Sequence, residues 1–318
     1  MKALVYHKYG SVDELQFTEV PRPVPGAGEV LVKVRAASIN SWDWDLLRGR
    51  PYIVRLSGWF SPRFPIIGAD VAGVVEEVGE GVQALQSGDE VVGDLSADRW
   101  GAFAEYVCAP VKSLVKKPAA ISFEAAAALP QAGVMALQGI QDDGQVKAGD
   151  RVLINGAGGG VGSFAIQLAK ARDAEITAVD RDDKFDFMKS LGADHVFDYR
   201  TTSFSDGEKK YDLVLDVQVQ RSFGQCRRAL TPTGKYVIVG GSIPKIFGHA
   251  FKQLFLPKRK RVIILTHQAN LHLEHLLSLV EKGELKVLID RTLPLADAAK
   301  GFAAVGAGDM KGKVVVKP

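Results

Sequence analysis

The chain has 318 residues, of which 47% are hydrophobic and 24% charged, and its net charge is +3. This length is enough for two domains with cores of their own, and so small a charge does not indicate nucleic-acid binding. Two cysteines, Cys108 and Cys226, exclude a four-cysteine zinc site and a disulfide scaffold, and no apolar run reaches the roughly 18 residues of a membrane span. Residues 1–8 alternate like a strand and lack the apolar core of a signal peptide, so we expect a cytoplasmic protein.

Residues 1–118 are predicted to be rich in short strands, because proline and glycine divide them at regular intervals. The predicted strands are 3–8, 15–20, 30–34, 71–78, 90–92, 103–107 and 114–116, and one short helix spans 42–48. Such spacing favours a partly open β-barrel or sandwich over a wound sheet.

From residue 122 the pattern changes to helices at 124–129 and 133–140, broken by Pro130, and then to alternating strands and helices. The predicted strands are 151–155, 175–180, 195–199, 211–217, 235–240 and 261–265, and the helices are 161–172, 184–191, 222–230 and 247–255. This alternation indicates an α/β fold with a doubly wound parallel sheet.

The C-terminal segment contains helices at 272–282 and 296–305 and strands at 290–293 and 313–317. It is too short for a core of its own, so we expect it to return to the first domain. The prediction is therefore one β-rich domain from residues 1–121 and 267–318 and a dinucleotide-binding domain from 122–266. We expect a cleft between them, since binding sites favour such junctions.

A glycine-rich turn carries the strongest functional signal. The strand 151–155 runs into Gly156-Ala-Gly-Gly-Gly-Val-Gly162, and a helix follows. In a dinucleotide-binding turn the first glycine permits the tight exit from the strand, the second admits the diphosphate and the third lets the helix pack closely. We therefore expect Gly156, Gly159, Gly160, Val161 and Gly162 to hold the diphosphate at the start of the helix.

Several sequence blocks, in the same order along the chain, resemble the zinc-free quinone oxidoreductase branch of the medium-chain dehydrogenase/reductase superfamily. They are ASINSWDWDLLRG (37–49), FPIIGADVAGVVEEVGEGV (64–82), SGDEVVG (87–93), GAFAEYV (101–107), AGDRVLINGAGGGVG (148–162), SLGADHVFDY (190–199) and LIDRTLPLADAAKG (288–301). The resemblance implies a GroES-like catalytic domain, a Rossmann domain and NADPH-dependent reduction of quinones or α,β-unsaturated carbonyls. It also implies a homodimer joined through the edge strand 261–265.

The resemblance also indicates a metal-free site. Zinc-containing members of the superfamily have a cysteine near ASINS and a His-Glu pair after the glycine of GAD, where this chain has Asn40–Ser41 and Ala69–Asp70. Zinc needs at least three protein ligands at a catalytic site. His272 and His275 lie on one predicted helix, and the simpler interpretation is that both side chains are solvated.

Without a metal, the protein's part in hydride transfer is to position the reactants, exclude water and donate hydrogen bonds to the developing oxyanion. The resemblance points to Asn40 and Tyr52 as the groups that face the substrate. Asn40 is a donor for the carbonyl oxygen or the nicotinamide ribose, and Tyr52 donates a hydrogen bond or a proton unless solvent does. The alternative interpretations are that Asn40 is a turn residue and that Tyr52 is an aromatic side chain lining the cleft. Asp43 is expected to be structural.

Two signals compete over the coenzyme. Asp180 ends the second strand, where a carboxylate binds the ribose 2′-hydroxyl of NAD and repels the 2′-phosphate of NADP. Arg181 follows directly, and arginine suits phosphate; the resemblance adds Lys184 and Tyr199 as contacts to the adenosine phosphate. We expect NADP, with NAD as the alternative, and we expect Gly240–Gly241 to approach the nicotinamide through the main chain.

Three functions remain open at this point. The first is reduction of a small quinone or enone by NADPH, with neither nucleic acid nor membrane as a partner. The second is a zinc-independent alcohol or carbonyl dehydrogenase. The third is a non-catalytic NADPH-binding sensor, which the intact glycine turn together with Asn40 and Tyr52 disfavours.

Overall fold

A computed structural model describes residues 1–241, 243–253 and 261–318. In these residues the strands are β1 (Lys2–Val5), β2 (Gln16–Glu19), β3 (Glu29–Ile39), β4 (Asp70–Val78), β5 (Glu90–Asp94), β6 (Tyr106–Pro110), β7 (Val115–Lys116), β8 (Arg151–Asn155), β9 (Glu175–Asp180), β10 (His195–Asp198), β11 (Tyr211–Asp216), β12 (Leu230–Ile238), β13 (Arg261–Ile264), β14 (Ile289–Pro294) and β15 (Lys313–Lys317). The α-helices are α1 (Ser41–Arg48), α2 (Phe123–Ala127), α3 (Pro130–Leu137), α4 (Gly160–Lys170), α5 (Phe185–Ser190), α6 (Phe223–Arg228), α7 (Ile243–Gln253), α8 (Leu273–Glu281) and α9 (Ala298–Ala307).

The first compact unit comprises Met1–Val134 and Ala269–Pro318. Its main sheet has the order β14-β15-β3-β4-β5-β7, and β6 pairs with the other end of β3. The C-terminal strand β15 lies antiparallel to β3, with Val314 opposite Ile39. The core between this sheet and α9 includes Phe103 and Phe302, whose rings meet edge to face.

The second unit, Met135–Gln268, contains a six-stranded sheet of order β10-β9-β8-β11-β12-β13. Every neighbouring pair is parallel. This strand order reverses direction at β8, as in a Rossmann fold, and the point of reversal places the glycine turn at the carboxyl edge of the sheet. The predicted doubly wound parallel sheet is confirmed.

The boundaries between the two units differ slightly from those predicted. Compact packing divides the chain after Val134 and after Gln268, whereas the pattern change suggested 121 and 266. The predicted break between two helices is present, since α2 ends at Ala127 and Pro130 is the first residue of α3. Proline at the first helical position costs nothing, because its missing N–H would have no partner there.

The most consequential difference is the length of β3. The predicted strand 30–34 is part of an eleven-residue strand that continues to Ile39. Pairing with β4 and β15 buries residues 36–39 at its C-terminal end, so the hydrophobic alternation used for the prediction is lost there. The strand therefore ends directly before Asn40 and fixes that residue's backbone.

One expectation lies partly outside the described residues. The helix predicted at 247–255 is described as α7 up to Gln253. None of the described helices is long and apolar enough to cross a membrane.

Candidate active site and coenzyme site

The glycine turn has the backbone geometry that a dinucleotide requires. Gly156 leaves β8 with a φ of +83°, a conformation that favours glycine. A Cβ on Gly162 would lie 2.4 Å from both the Cα of Ala157 and the carbonyl oxygen of Gly156, so only glycine fits there. A Cβ on Gly159 would meet nothing closer than 3.6 Å. The surface above Gly159 is therefore open to a ligand.

The start of α4 offers unpaired backbone donors. The first helical hydrogen bond runs from the N–H of Ser163 to the carbonyl of Gly159, at 3.0 Å. In the described chain the amides of Gly160, Val161 and Gly162 have no acceptor. Unpaired amides at the positive end of a helix dipole bind anions. These residues fit the diphosphate of a dinucleotide.

Asp180 is tied to the same turn. Its Oδ2 accepts the N–H of Gly158 at 2.9 Å, and its Oδ1 accepts the N–H of Arg181 at 2.9 Å. The Nζ of Lys184 lies 3.3 Å from Oδ1, and both side chains are buried. A Cβ on Gly158 would lie 2.4 Å from Cδ of Lys184, so the lysine stem covers this glycine. The carboxylate is thus fixed in position and paired with a cation.

Basic side chains border Asp180 at the ends of β9 and β10. Arg181 pairs with Asp183, with Nε 3.1 Å from Oδ1. Tyr199 follows β10 and is half exposed. Arg200, which the sequence analysis missed, lies next to Tyr199 and pairs with Asp182 at 2.6 Å. The parallel register that sets Asp198 opposite Asp180 brings Arg200 to this edge, and only strand pairing could have identified it.

The segment Gly240–Gly241 lies beside the loop that follows β11. The carbonyl of Gly240 accepts the N–H of Val219 at 3.0 Å. Gly241 has a φ of +118°, and a Cβ there would lie 2.5 Å from the nitrogen of Val219. The loop after β11 also approaches the glycine turn, since a Cβ on Gly156 would lie 3.2 Å from Cβ of Val217. The loops after β8, β11 and β12 therefore share one edge.

Asp70 organises the candidate site of the first unit. Its buried carboxylate accepts three side-chain or backbone donors: the Oγ of Ser38 at 2.8 Å, the Nδ2 of Asn40 at 2.9 Å and the N–H of Gln131 at 3.1 Å. The Nζ of Lys313 lies 3.5 Å from its Oδ2. Burial raises the pKa of Asp70, and the charge of Lys313 opposes that effect. One carboxylate thus joins β3, β4, α3 and β15.

The Asn40 side chain is held at both ends of its amide. Its Oδ1 accepts a hydrogen bond from Nζ of Lys313, and its Nδ2 donates to Asp70. The other nearby acceptor for Nδ2 is the carbonyl of Ser38, at 3.5 Å, which is a long contact for a hydrogen bond. Lys313 and Asp70 therefore fix the orientation of the amide and leave its second N–H weakly bonded.

Asp43 has a structural place, as expected. Its Oδ2 accepts the N–H of Asn40 at 2.7 Å, and its Oδ1 accepts the N–H of Gly68 at 3.2 Å. Burial raises the pKa of Asp43 to about 8, and the bond from Asn40 acts in the opposite direction. The side chain links the start of α1 to the segment that leads into β4.

Tyr52 differs from Asn40 in its surroundings. It begins a 3₁₀ turn, Tyr52–Ser57, and 58% of its surface is exposed. The guanidinium groups of Arg50 and Arg55 lie 5.8 and 5.2 Å from its ring centroid. No hydrogen bond of the described residues involves its hydroxyl. The structure therefore leaves this hydroxyl free and does not pair it with Asn40.

The cluster around Asp70 does not suit a zinc ion. The described residues contain no group of three His, Cys, Asp or Glu side chains arranged to hold a metal. The ammonium group of Lys313 already lies against Asp70, so a divalent cation there would meet a like charge. Ala69 and Asn40, which the resemblance compares with zinc-ligand positions, supply neither a thiolate nor an imidazole.

Removal of the cation should expose the cost of burying Asp70. We expect Lys313→Met to lower the free energy of unfolding by about 3–5 kcal/mol at pH 8, because Asp70 would be left charged and uncompensated. The added burial cost raises the pKa of Asp70 further, so stability falls as pH rises and the deficit shrinks toward pH 5. Urea unfolding at both pH values measures it.

Two further variants control this experiment. Adding Asp70→Asn should recover part of the loss, since the carboxylate that directly pairs with Lys313 is then neutral, while Asp43 and Asp94 stay buried nearby. Lys300→Met removes an exposed lysine that pairs with Asp297, and we expect a change below about 1 kcal/mol. A deficit in Lys313→Met that Asp70→Asn does not reduce would contradict the electrostatic origin.

Comparison with known proteins assigns the family. The description "Alcohol dehydrogenase GroES-like domain" matches residues 26–119, and "Zinc-binding dehydrogenase" matches residues 191–316. The chain is 37% identical to a chloroplast envelope quinone oxidoreductase homolog of Arabidopsis thaliana, over 100% of this chain and 98% of that protein. It is 33% identical to the NADPH-dependent alkenal/one oxidoreductase of the same plant, over 100% of this chain and 80% of that protein.

A solved structure agrees with these relatives. The quinone oxidoreductase of Coxiella burnetii is 30% identical, has a TM-score of 0.89 and is matched over 100% of this chain and 99% of that chain. The predicted pairing of a GroES-like domain with a Rossmann sheet is confirmed. The chain belongs to the quinone oxidoreductase branch of the medium-chain dehydrogenase/reductase superfamily, whose members are NAD(P)-dependent oxidoreductases.

Proposed function

We propose that this protein reduces quinones or α,β-unsaturated carbonyl compounds with NADPH and without a metal ion. The observation that carries the proposal is the buried cluster around Asp70, where the carboxylate and the Lys313 ammonium fix the amide of Asn40. Such a cluster suits an acceptor that needs a hydrogen bond more than a Lewis acid. The names of the two Arabidopsis relatives support the same acceptor classes.

Hydride transfer to a conjugated acceptor requires little of the protein beyond positioning the reactants. NADPH, when bound, supplies a hydride, and a conjugated acceptor spreads the resulting charge onto an oxygen. The second N–H of Asn40, held in place by Asp70 and Lys313, stabilises that oxygen, and Tyr52 donates a hydrogen bond or a proton unless solvent does so. Donors fixed before the reaction cost no reorganisation during it.

The coenzyme is assigned to the second unit. Gly156, Gly159, Gly160, Val161 and Gly162 hold the diphosphate, and Gly240 and Gly241 approach the nicotinamide by main chain. Arg181, Lys184 and Tyr199, with the newly identified Arg200, bind the adenosine 2′-phosphate. Asp180 is already paired with Lys184 and bonded to two amides, so its charge opposes a 2′-phosphate less than a free carboxylate would.

A small acceptor panel tests the proposed function. We expect NADPH oxidation to accelerate with quinones and enones, with kcat/KM higher for NADPH than for NADH, and no oxidation of simple alcohols. Asp180→Ser should raise the preference for NADPH further. Activity on alcohols alone would favour the alcohol dehydrogenase function. Coenzyme binding without any turnover would favour a sensor, and an NADH preference reversed by Asp180→Ser would overturn the coenzyme assignment.

The coenzyme site can be tested by a matched pair of glycine variants. Gly159→Ala should weaken NADPH binding at least about tenfold, or about 1.4 kcal/mol, because the methyl group occupies the open surface that the diphosphate needs. Calorimetric titration measures the Kd. Gly207→Ala, where a Cβ also meets nothing, should leave it unchanged. Equal Kd values for the two variants would contradict the assignment.

The substrate-facing residues are tested by kinetics on one enone. We expect Asn40→Ala to lower kcat/KM about 10- to 100-fold through kcat, since a fixed oxyanion donor is lost. Tyr52→Phe should lower it less, because solvent can replace its proton. Trp59→Phe, an exposed aromatic on the same segment, serves as the control. Full kcat/KM in both Asn40→Ala and Tyr52→Phe would contradict the site.

Assembly and location stay predictions. We propose a homodimer through β13, which ends the described part of the parallel sheet and carries the partly exposed Ile264. An uncovered apolar edge strand invites pairing with a second copy. We also propose a cytoplasmic location for this chain, in contrast to the two Arabidopsis relatives, whose names place them in the chloroplast.

A further inference from the structure

Gln131 is a buried amide with an unmet hydrogen-bond donor. It is the second residue of α3, only 3% of its surface is exposed, and its Nε2 has no hydrogen-bond partner in the described residues. Buried polar side chains in folded proteins are nearly always bonded, and one without a partner destabilises the fold. Such a group calls for a specific explanation.

The surroundings make a packing role a poor explanation. Residues 126–134 are all buried, and Gln131 is the one polar side chain among Ala126-Ala-Ala-Leu-Pro-Gln-Ala-Gly-Val134. A leucine or methionine would fill similar space without stranding a donor. The buried Gln131 amide therefore destabilises the folded state, and packing alone does not offset this.

Gln131 lies next to the candidate active site. Its backbone N–H donates to Oδ1 of Asp70 at 3.1 Å, while the amide of Asn40 donates to Oδ2 of the same carboxylate at 2.9 Å. The two residues are thus bound to opposite oxygens of one fixed group. They come from separate parts of the fold, the start of α1 directly after β3 and the first turn of α3, and Asp70 joins them.

We infer that the side-chain amide of Gln131 is a substrate-binding group, which donates a hydrogen bond from Nε2 to the carbonyl oxygen of a quinone or enone beside Asn40. This inference rests on the proposed function and adds a residue to it. A donor left unpaired until the acceptor arrives makes its best bond to an oxygen that gains charge during hydride transfer. It also rejects hydride acceptors that lack such an oxygen.

The test compares two buried glutamines. Gln131→Met keeps the length of the side chain and removes the donor, so we expect kcat/KM for the best acceptor to fall at least tenfold, with coenzyme Kd unchanged and a Tm equal to or above the wild-type value. Gln138→Met is the matched control. Gln138 is also 3% exposed, but its Oε1 accepts the N–H of Gln268 at 3.3 Å. That variant should lose Tm and keep kcat/KM.

The combination of lower activity with unreduced stability separates substrate binding from a structural role. Gln131→Met with kcat/KM within twofold of wild type would overturn the inference, as would a loss of activity that merely follows a loss of Tm. Gln131→Leu provides a second variant should the methionine disturb α3.

A binding measurement keeps this inference distinct from the proposed function. 4-Nitrophenolate mimics the charged oxygen of the reduced acceptor, and its absorbance reports binding without turnover. We expect the NADP-loaded wild type to bind it at least tenfold more tightly than Gln131→Met. A wild type that reduces no acceptor on the panel would overturn the proposed function, and equal or absent phenolate binding would overturn the role of Gln131.

Discussion

The buried pair of Asp70 and Lys313 is the interaction on which the first unit's site depends. Two charges removed from water at this depth are stable only if each is paired and bonded, and here both partners also hold Asn40. Lys313 comes from the last strand and Asp70 from the start of β4, so the return of the C-terminal segment to the first unit is a condition for forming the site. The site of this unit therefore requires the pairing of β15 with β3.

In the second unit, main-chain groups of the glycine turn form the candidate coenzyme site. Gly162 is irreplaceable because a Cβ there would lie 2.4 Å from Ala157 Cα and from the Gly156 carbonyl oxygen of the turn, whereas Gly159 is open. The two glycines serve different purposes. Gly162 brings α4 close to the sheet, and Gly159 leaves the unpaired amides at the start of α4 accessible. The buried pair of Asp180 and Lys184 then fixes the turn from the side, as Asp70 and Lys313 fix Asn40.

Sequence reasoning succeeded where the signal is local. Consecutive residues are enough to identify the glycine turn, its flanking strand and helix, and the alternation that builds the parallel sheet. It failed at β3, whose buried C-terminal half carries no alternation, and it missed Lys313, Gln131 and Arg200. Lys313 and Gln131 gain their places from Asp70, far along the chain, and Arg200 reaches the edge near Asp180 through the pairing of β10 with β9. Strand register, which no local pattern encodes, brings such partners together.

The site also illustrates how a fold can keep its framework while its chemistry changes. A zinc ion polarises a carbonyl by its charge and needs thiolate or imidazole ligands; a fixed amide offers a weaker donor and needs only a rigid support. An acceptor whose charge is spread by conjugation requires less polarisation, so the weaker donor suffices. In the proposed site, Asp70 and Lys313 would supply this rigidity, since each bonds one end of the Asn40 amide, and the acceptor oxygen would meet an oriented N–H donor in place of a metal ion. The proposed preference for a conjugated acceptor follows from this weaker donor.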